Sequence, residues 1–412
     1  MQQWAESDSA NARKQLIRNG TFQGMSQNFV SLAIWILCAS FLGVPEYVTA
    51  CYGAMGYFGY LALPLGYVVC ARIGVCKGAF WLRMVANLAF FLVIPAILYP
   101  SIGIWLQPLA LAMFYFAVSA ASATMFPLQK FLTNEKTISG YLGKLSFCRN
   151  TCGLLVSLGV MWLLKKYDTN ASTLIWLFAL AGVSCFLGNT CYLFIKEPQA
   201  LQADFRQPLY SQLPTLFRNP GFLKLCLAGI FANVLLITLP SASILAAKNG
   251  CGATGDVVVI LTITQALASI GSSLAYKPLG SRFGPRALLL TSQLLAVTII
   301  AFWTIVPVDA PKFLLVFPFI LCGINVVFIG TGFSHYVTVL LSRQLQTAGA
   351  FGVLITHGVI AGFLGILLNS LLFKFLWKLP DITPLTHYRQ FFLAILVVCA
   401  ISTWFIFQMP KR

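Results

Sequence analysis

The sequence predicts an all-α polytopic membrane protein, and three observations support this fold class. Of the 412 residues, 59% are hydrophobic and only 9% are charged. A soluble protein carries about 25% charged residues, so a water-soluble fold is excluded. A transmembrane helix needs about 20 apolar residues, and the chain has room for roughly twelve such helices with short loops. Glycine and proline residues lie between the apolar runs, as expected of tight connections between helices.

The apolar runs predict each span in turn, although the first and fifth spans begin with polar residues. Typical breakers are Gly43-Val44-Pro45, Tyr99-Pro100-Ser101 and Val306-Pro307-Val308. The predicted spans are 18–42, 47–71, 76–98, 104–127, 140–164, 172–195, 221–246, 253–276, 286–308, 312–336, 346–374 and 387–409. The stretch from Lys196 to Pro220 is too polar to cross a bilayer. We therefore expect a six-helix bundle over 1–195, a cytoplasmic linker over 196–220 and a second six-helix bundle over 221–412.

Positive charge predicts the orientation. If the N-terminus is cytoplasmic, 20 of the 27 lysines and arginines lie on the cytoplasmic side, and the positive-inside rule then places both termini there. The net charge of +17 is spread over many short loops, which argues against nucleic-acid binding. The first twenty residues lack a cleavable signal pattern, so the first span should direct insertion. We expect a multi-pass protein of a bacterial inner membrane, acting as a monomer in the lipid bilayer.

Two predicted loops, one in each half, share a pattern of glycine and basic residues. Glycine permits a sharp reversal, and Pro278 and Pro285 should stop either helix from continuing through the second loop. Gly74 and Gly284 are 210 residues apart, close to half of the 412-residue chain, which suggests an internal duplication. The residues of the pattern are Arg72 and Gly74 in the first loop, and Gly280, Arg282, Gly284 and Arg286 in the second.

These loops resemble the loop signature of the major facilitator superfamily. Leu279, Arg282, Gly284 and Arg286 fit that signature, whereas Ala71 and Ser281 stand where it has aspartate. The family's aspartate helps to latch helices at the cytoplasmic side, so this latch is absent here or built differently. The resemblance implies two six-helix bundles that rock about a central site and expose it alternately to each side. It further implies a secondary active transporter of a small organic solute, driven by a proton or ion gradient.

Polar side chains inside the spans are the candidates for contact with the substrate, because such groups are costly in lipid and tend to face a cavity. For those in the first span, hydrogen bonding between helices is the alternative. The candidates are Gln23, Gln27, Tyr52, Tyr115, Arg149, Asn150, Asn233, Gln265, Asn325 and His357. Arg149 has no acidic residue at a matching depth on a neighbouring span. An anionic substrate could pair with it through two hydrogen bonds; otherwise Arg149 reaches the cytoplasmic interface or backbone carbonyls.

Three residues are candidates for proton coupling. Asp256 and Glu46 are nearly the only acids close to the membrane interior, and His357 has a side chain that titrates near neutral pH. The alternative for Asp256 is a cap on the eighth helix.

The sequence shows no catalytic set, no metal-ligand cluster and no phosphate-binding loop, so we expect no enzyme activity, cofactor or metal. The alternatives to a transporter are a receptor or scaffold that does not transport, and a lipid flippase.

Overall fold

A computed structural model describes residues 6–49, 52–134, 137–167, 170–197, 199–206, 209–342, 345–376 and 384–410, and these ranges contain helices and no strand. The helices of the first half are α1 Glu6–Phe29, α2 Leu32–Phe41, α3 Glu46–Thr49, α4 Tyr52–Phe58, α5 Leu63–Ile73, α6 Val75–Leu98, α7 Pro100–Ser122, α8 Met125–Leu132, α9 Ile138–Tyr167 and α10 Ala171–Thr190. Those that follow are α11 Gln199–Arg206, α12 Leu209–Arg218, α13 Pro220–Leu245, α14 Gly255–Ile305, α15 Val316–Leu340, α16 Gln346–Leu354, α17 Ala361–Leu376 and α18 Pro384–Gln408.

Eleven helical segments in the described part of the chain are long and apolar enough to cross a membrane. One of them, Val257–Ile305, has 49 residues and covers the predicted eighth and ninth spans. Non-helical backbone at Gly284 interrupts α14, leaving helical lengths of about 43 Å and about 31 Å, each enough for a bilayer core of about 30 Å. The predicted fold class is therefore confirmed, and the chain is an integral multi-pass membrane protein.

The boundaries of the first two spans differ from the prediction. Helix α1 begins at Glu6, well before residue 18, because the stretch from Ala10 to Leu16 is rich in good helix formers, although several of them are poor membrane residues. The second span is a series of short segments, including a 3₁₀ turn at Gly59–Ala62. A Cβ at Gly59 would lie 2.6 Å from the Tyr115 carbonyl oxygen. Glycine there permits close packing on α7 and weakens the helix.

The sequence predicted a turn at Gly280, but the chain does not turn there. Helical backbone continues through Pro278 and Gly280, and the break lies at Gly284. A proline inside a helix removes one hydrogen bond and crowds the carbonyl four residues earlier, yet the helix continues past Pro278 despite this local cost. Gly280, Arg282 and Pro278 are therefore helical rather than loop residues.

Gly74 and Gly284 adopt the same backbone conformation in the two halves. Gly74 has φ 101° and ψ 155°, and Gly284 has φ 74° and ψ 168°. This region is accessible essentially only to glycine. Both glycines connect two long helices, so the motif glycine has the same structural role in each half.

The loop at Gly74 receives a carboxylate from Glu197. Its Oε1 accepts a hydrogen bond from the Val75 N–H at 2.7 Å, and its Oε2 accepts one from the Cys76 N–H at 2.9 Å. These are unpaired donors at the N-terminus of α6, where negative charge is favourable. Glu197 thus supplies a carboxylate to a loop whose own motif position holds Ala71.

We expect Glu197→Ala to lower the free energy of unfolding by about 1–2 kcal/mol, since it removes a helix cap and a favourable dipole interaction. Unfolding in detergent micelles measures this. Lys196→Ala is the control, because the Lys196 side chain is 81% exposed and its ion pair with Asp8 is 3.5 Å long. The control should change stability by less than about 0.5 kcal/mol. Equal losses in the two variants would contradict the capping role.

Two compact units make up the chain. The first comprises Met1–Asn134, Lys144–Leu209 and Ser342–Phe351; the second comprises Glu135–Gly143, Tyr210–Leu341 and Gly352–Arg412.

Each unit is built around a buried tryptophan. In the first, the Trp35 ring meets the rings of Phe90, Phe114 and Phe178 at 6.3, 6.4 and 4.9 Å between centroids, which ties α2, α6, α7 and α10 together. In the second, Trp303 stacks on Phe392 at 5.8 Å and donates its N–H to the Ser243 Oγ at 2.9 Å.

Candidate functional site

Helices α1 and α9 pack closely through positions four residues apart on each helix, so the same faces meet repeatedly. The contacts pair Gly20 with Leu145, Gly24 with Arg149, and Asn28 with Gly153 and Ser157. A Cβ at Gly24 would lie 2.5 Å from the Arg149 carbonyl oxygen and 3.0 Å from its Cγ. The Arg149 side chain therefore leaves α9 directly over Gly24, where only glycine gives it room.

Arg149 lies well inside the membrane-spanning part of α9. It is eleven residues beyond the helix start at Ile138 and eighteen before the helix end at Tyr167, so a rise of about 16 Å separates it from the nearer end. Its guanidinium donates a hydrogen bond to the Gln27 Oε1 at 2.8 Å, and its side chain is exposed. Exposure of a charge to lipid at this depth is costly, so the guanidinium should face a polar opening.

No acidic side chain contacts Arg149 in the part of the chain that the structure describes. Within the eleven candidate spans the sole acidic residue is Asp8, the first residue of the first span. Tyr60 and Arg83 lie close enough to interact electrostatically with Arg149, and neither is an acid. Arg83 lies over the Tyr192 ring at 5.4 Å, and its Nε is buried without a partner among the described residues. The first unit thus contains two arginines inside candidate spans, Arg83 and Arg149, and the described side chains that contact them are neutral.

Gln23 takes part in hydrogen bonding between helices. It is buried, and its Nε2 donates to the Asn189 Oδ1 at 3.0 Å. The Asn189 Nδ2 in turn donates to the Arg83 carbonyl oxygen at 3.0 Å. Ser26 and Asn19 also bond to α10, at the carbonyl oxygens of Ala181 and Gly188. The polar face of the first span therefore divides, with Gln23 bound to α10 and Gln27 bound to Arg149.

The remaining candidates of the first unit lie in different surroundings. Tyr52 is 1% exposed and donates its hydroxyl proton to the Gln107 Oε1, so it belongs to the core. Tyr115 is half-buried, with its ring edge 3.4 Å from the position a Cβ would take at Gly56. Asn150 is half-buried and donates to the Ser146 Oγ at 3.3 Å. We do not include Tyr52 in the site we propose.

Gln265 and Asn325 occupy a close crossing of α14 and α15. A Cβ at Gly323 would overlap the Gln265 carbonyl oxygen, and the Ser269 Oγ donates to the Gly323 carbonyl oxygen at 3.0 Å. Gln265 is half-buried. Asn325 is 3% exposed, and its Oδ1 is buried without a partner in the described part of the chain. This crossing is the second polar cluster among the candidates.

His357 lies in a π-helical turn, Ile355–Ile360, that interrupts the eleventh span. Its ring occupies the space that a side chain at Gly229 would need, and it meets the Phe333 ring edge-on at 4.9 Å. Its Nε2 is 3.4 Å from the Leu225 carbonyl oxygen. Asn233 bonds within its own helix, to the Gly229 carbonyl oxygen at 2.8 Å. His357 therefore packs against α13 and α15 within the second unit.

The acidic candidates lie at helix ends. Asp256 is the second residue of α14 and Glu46 the first of α3; their side chains are outside the part that the structure describes. Two relevant residues were not singled out by the sequence: Asn28, which bonds Ser157 at 2.9 Å, and Asn189. An asparagine inside an apolar span is the signal that would have found both, by the reasoning applied to Gln27.

Solved structures of membrane transporters match the chain over nearly its whole length. The Escherichia coli fucose:proton symporter FucP superposes with a TM-score of 0.75 at 13% identity, covering 97% of this chain and 98% of that one. The proton:xylose symporter XylE bound to 6-bromo-6-deoxy-D-glucose gives 0.72 at 11% identity, with 99% and 97% covered. A bacterial homologue of the iron transporter ferroportin, in an outward-facing state, gives 0.71 at 15% identity, with 97% and 100% covered. No protein-family model and no curated protein sequence matches.

Proposed function

We propose that this chain, which has the fold of the major facilitator superfamily transporters, is a secondary transporter that moves a small organic anion by alternating access. The similar solved structures are transporters of small solutes, which supports transport over a receptor or an enzyme. Their low identities, 13% and 11%, leave the solute to be argued from this chain's own residues.

The assignment of an anionic substrate rests on the surroundings of Arg149. Its side chain is exposed, starts about 16 Å along α9 from the helix start, and donates to the neutral Gln27 amide oxygen at 2.8 Å. A guanidinium has five N–H donors in a rigid fork, and one bond to Gln27 leaves donors free. A carboxylate or phosphate fits that fork with two hydrogen bonds. Gln27 would then fix the orientation of the guanidinium, leaving its other edge for the substrate.

Uptake by proteoliposomes tests this function. The probes are radiolabelled lactate, benzoate, succinate, glutamate and glycerol 3-phosphate, each compared with a neutral analogue in which a hydroxyl or amide replaces the charged group. With the same unlabelled anion loaded inside, we expect at least one labelled anion to enter protein-containing liposomes faster than protein-free ones, and its neutral analogue, tested in the same way, not to. Uptake of neutral analogues alone would contradict the anion assignment, and no uptake of any probe would contradict the function.

The orientation is a separate prediction. The excess of lysine and arginine places the linker and the loop at Gly284 in the cytoplasm. In a cysteine-free background, single cysteines at Gln202, in α11, and Ser281, which is exposed in α14, should react with an impermeant reagent only after the membrane is opened. A cysteine in place of Asp309, which is exposed between predicted spans nine and ten, is the matched position on the other side. Labelling at Gln202 and Ser281 from outside intact cells would reverse the orientation.

A proton or ion gradient is the driver that the sequence favoured, with Asp256, Glu46 and His357 as the coupling groups. His357 lies 3.4 Å from the Leu225 carbonyl oxygen within the second unit, and the side chains of Asp256 and Glu46 are outside the part that the structure describes. The charges inside the spans suggest a different driver.

A further inference from the structure

The membrane-spanning part of this chain carries positive charge with almost no negative charge. Eighteen lysines and arginines lie within the eleven candidate spans, against the single acid Asp8. Asp8 itself forms an ion pair with Lys196 at 3.5 Å. Most of the basic residues are near span ends, where they can reach water. Arg149 lies eleven residues inside α9, and its side chain is exposed.

In the described part of the chain no acidic side chain contacts Arg149, and a proton cannot neutralise it. A guanidinium stays protonated in proteins, so a change of pH does not remove its charge. Its hydrogen-bond partner, the Gln27 Oε1 at 2.8 Å, is neutral. Arg83 adds a second positive charge that acts on it. The remaining source of negative charge at this site is a molecule that enters from solution.

This charge has different consequences in the two halves of a transport cycle. An alternating carrier must exclude water from its site twice, once loaded and once empty. With an anion bound, the Arg149 charge is compensated while water is excluded. In the empty carrier the same step strips water from an uncompensated arginine, which is strongly unfavourable. The loaded site should therefore reorient much faster than the empty one.

We infer that the protein is an obligate exchanger of organic anions, in which an anion must bind Arg149 on each side before the site can reorient. This inference rests on the proposed function and names the driving force of the transport. The gradient of one anion would drive the counter-movement of another, without proton coupling. Asp256 and Glu46, which flank the spans, would then have no coupling role.

Counterflow in proteoliposomes tests the inference with the five labelled anions named above. The liposomes are loaded either with the same unlabelled anion or with an equal concentration of mannitol. For a transported anion, we expect initial uptake to be about 100-fold faster with anion inside, which corresponds to about 2.7 kcal/mol in the barrier at 1.36 kcal/mol per tenfold in rate. A protonophore should leave the counterflow rate unchanged.

The outcomes separate this inference from the function on which it rests. Equal uptake into anion-loaded and mannitol-loaded liposomes would overturn the inference of obligate exchange and leave the proposed transport function intact. Loss of counterflow in the presence of the protonophore would do the same. No uptake of any of the five anions in either load would overturn both. Lys165→Gln is the control variant, because Lys165 is an exposed basic residue near the far end of α9 and should keep the same ratio of rates.

Discussion

Replacing Arg149 with glutamine should reduce the affinity for the transported anion by about 100-fold or more, equivalent to about 2.7 kcal/mol. Glutamine can still bond Gln27 but cannot pair with a negative charge. Removing one partner of a desolvated charge pair typically costs about 2–5 kcal/mol, which sets the size of the effect. Arg149→Lys keeps the charge and loses the fork of donors, so we expect it to bind at an intermediate level. Half-saturation concentrations in proteoliposomes measure both.

Lys165→Gln is the matched control for this comparison, since it removes one positive charge from the same helix at an exposed position. It should retain the half-saturation concentration of the unmodified protein. All three variants should insert and unfold normally, because Arg149 and Lys165 have little role in the packed cores. If Arg149→Gln transports with an unchanged half-saturation concentration, Arg149 is structural and the anion site is wrong.

Replacing Gly24 with valine should reduce uptake at least as severely as Arg149→Lys. A Cβ at Gly24 would lie 2.5 Å from the Arg149 carbonyl oxygen and 3.0 Å from its Cγ. Since a backbone carbonyl cannot rotate away, α1 and α9 must separate, and the guanidinium then moves off the Gln27 Oε1. Overpacking of this kind costs about 1–3 kcal/mol of stability and displaces the site as well.

Gly159→Ala is the control, because a Cβ at Gly159 on the same helix α9 meets nothing within 4 Å. Its uptake should match the unmodified protein, and its stability should be equal or higher, since alanine is the better helix former. Uptake by Gly24→Ala should lie between these two variants. Normal uptake by Gly24→Val would show that the α1–α9 contact does not position Arg149.

The sequence identified the fold class because the bilayer imposes it. Apolar length and the absence of acids are local properties, and they suffice to find the spans. Gly74 and Gly284 were found as turn residues for the same reason, since a positive φ needs glycine wherever it occurs. Gly280 was misplaced because a glycine in a loop and one in a helix look alike in sequence, and the helical hydrogen bonds around it decided the outcome.

The site was only partly predictable, because its partners are distant in the chain. Arg149 and Gln27 are 122 residues apart, and no local pattern links them. Because polar groups are costly in lipid, both residues were correctly identified from the sequence as unusual. It could not distinguish Gln27 from Gln23, which bonds Asn189 on α10. Tyr52 shows the same limit: its hydroxyl bonds Gln107, and this partner was not visible in the sequence.

Binding of one charged and neutral pair to the protein and to Arg149→Gln tests the central claim most directly. Isothermal titration would use the anion that proteoliposomes take up and its neutral analogue. The account predicts that the unmodified protein prefers the anion by about 100-fold, or about 2.7 kcal/mol, and that Arg149→Gln binds the two alike. An Arg149→Gln variant that keeps the full preference for the anion would contradict it.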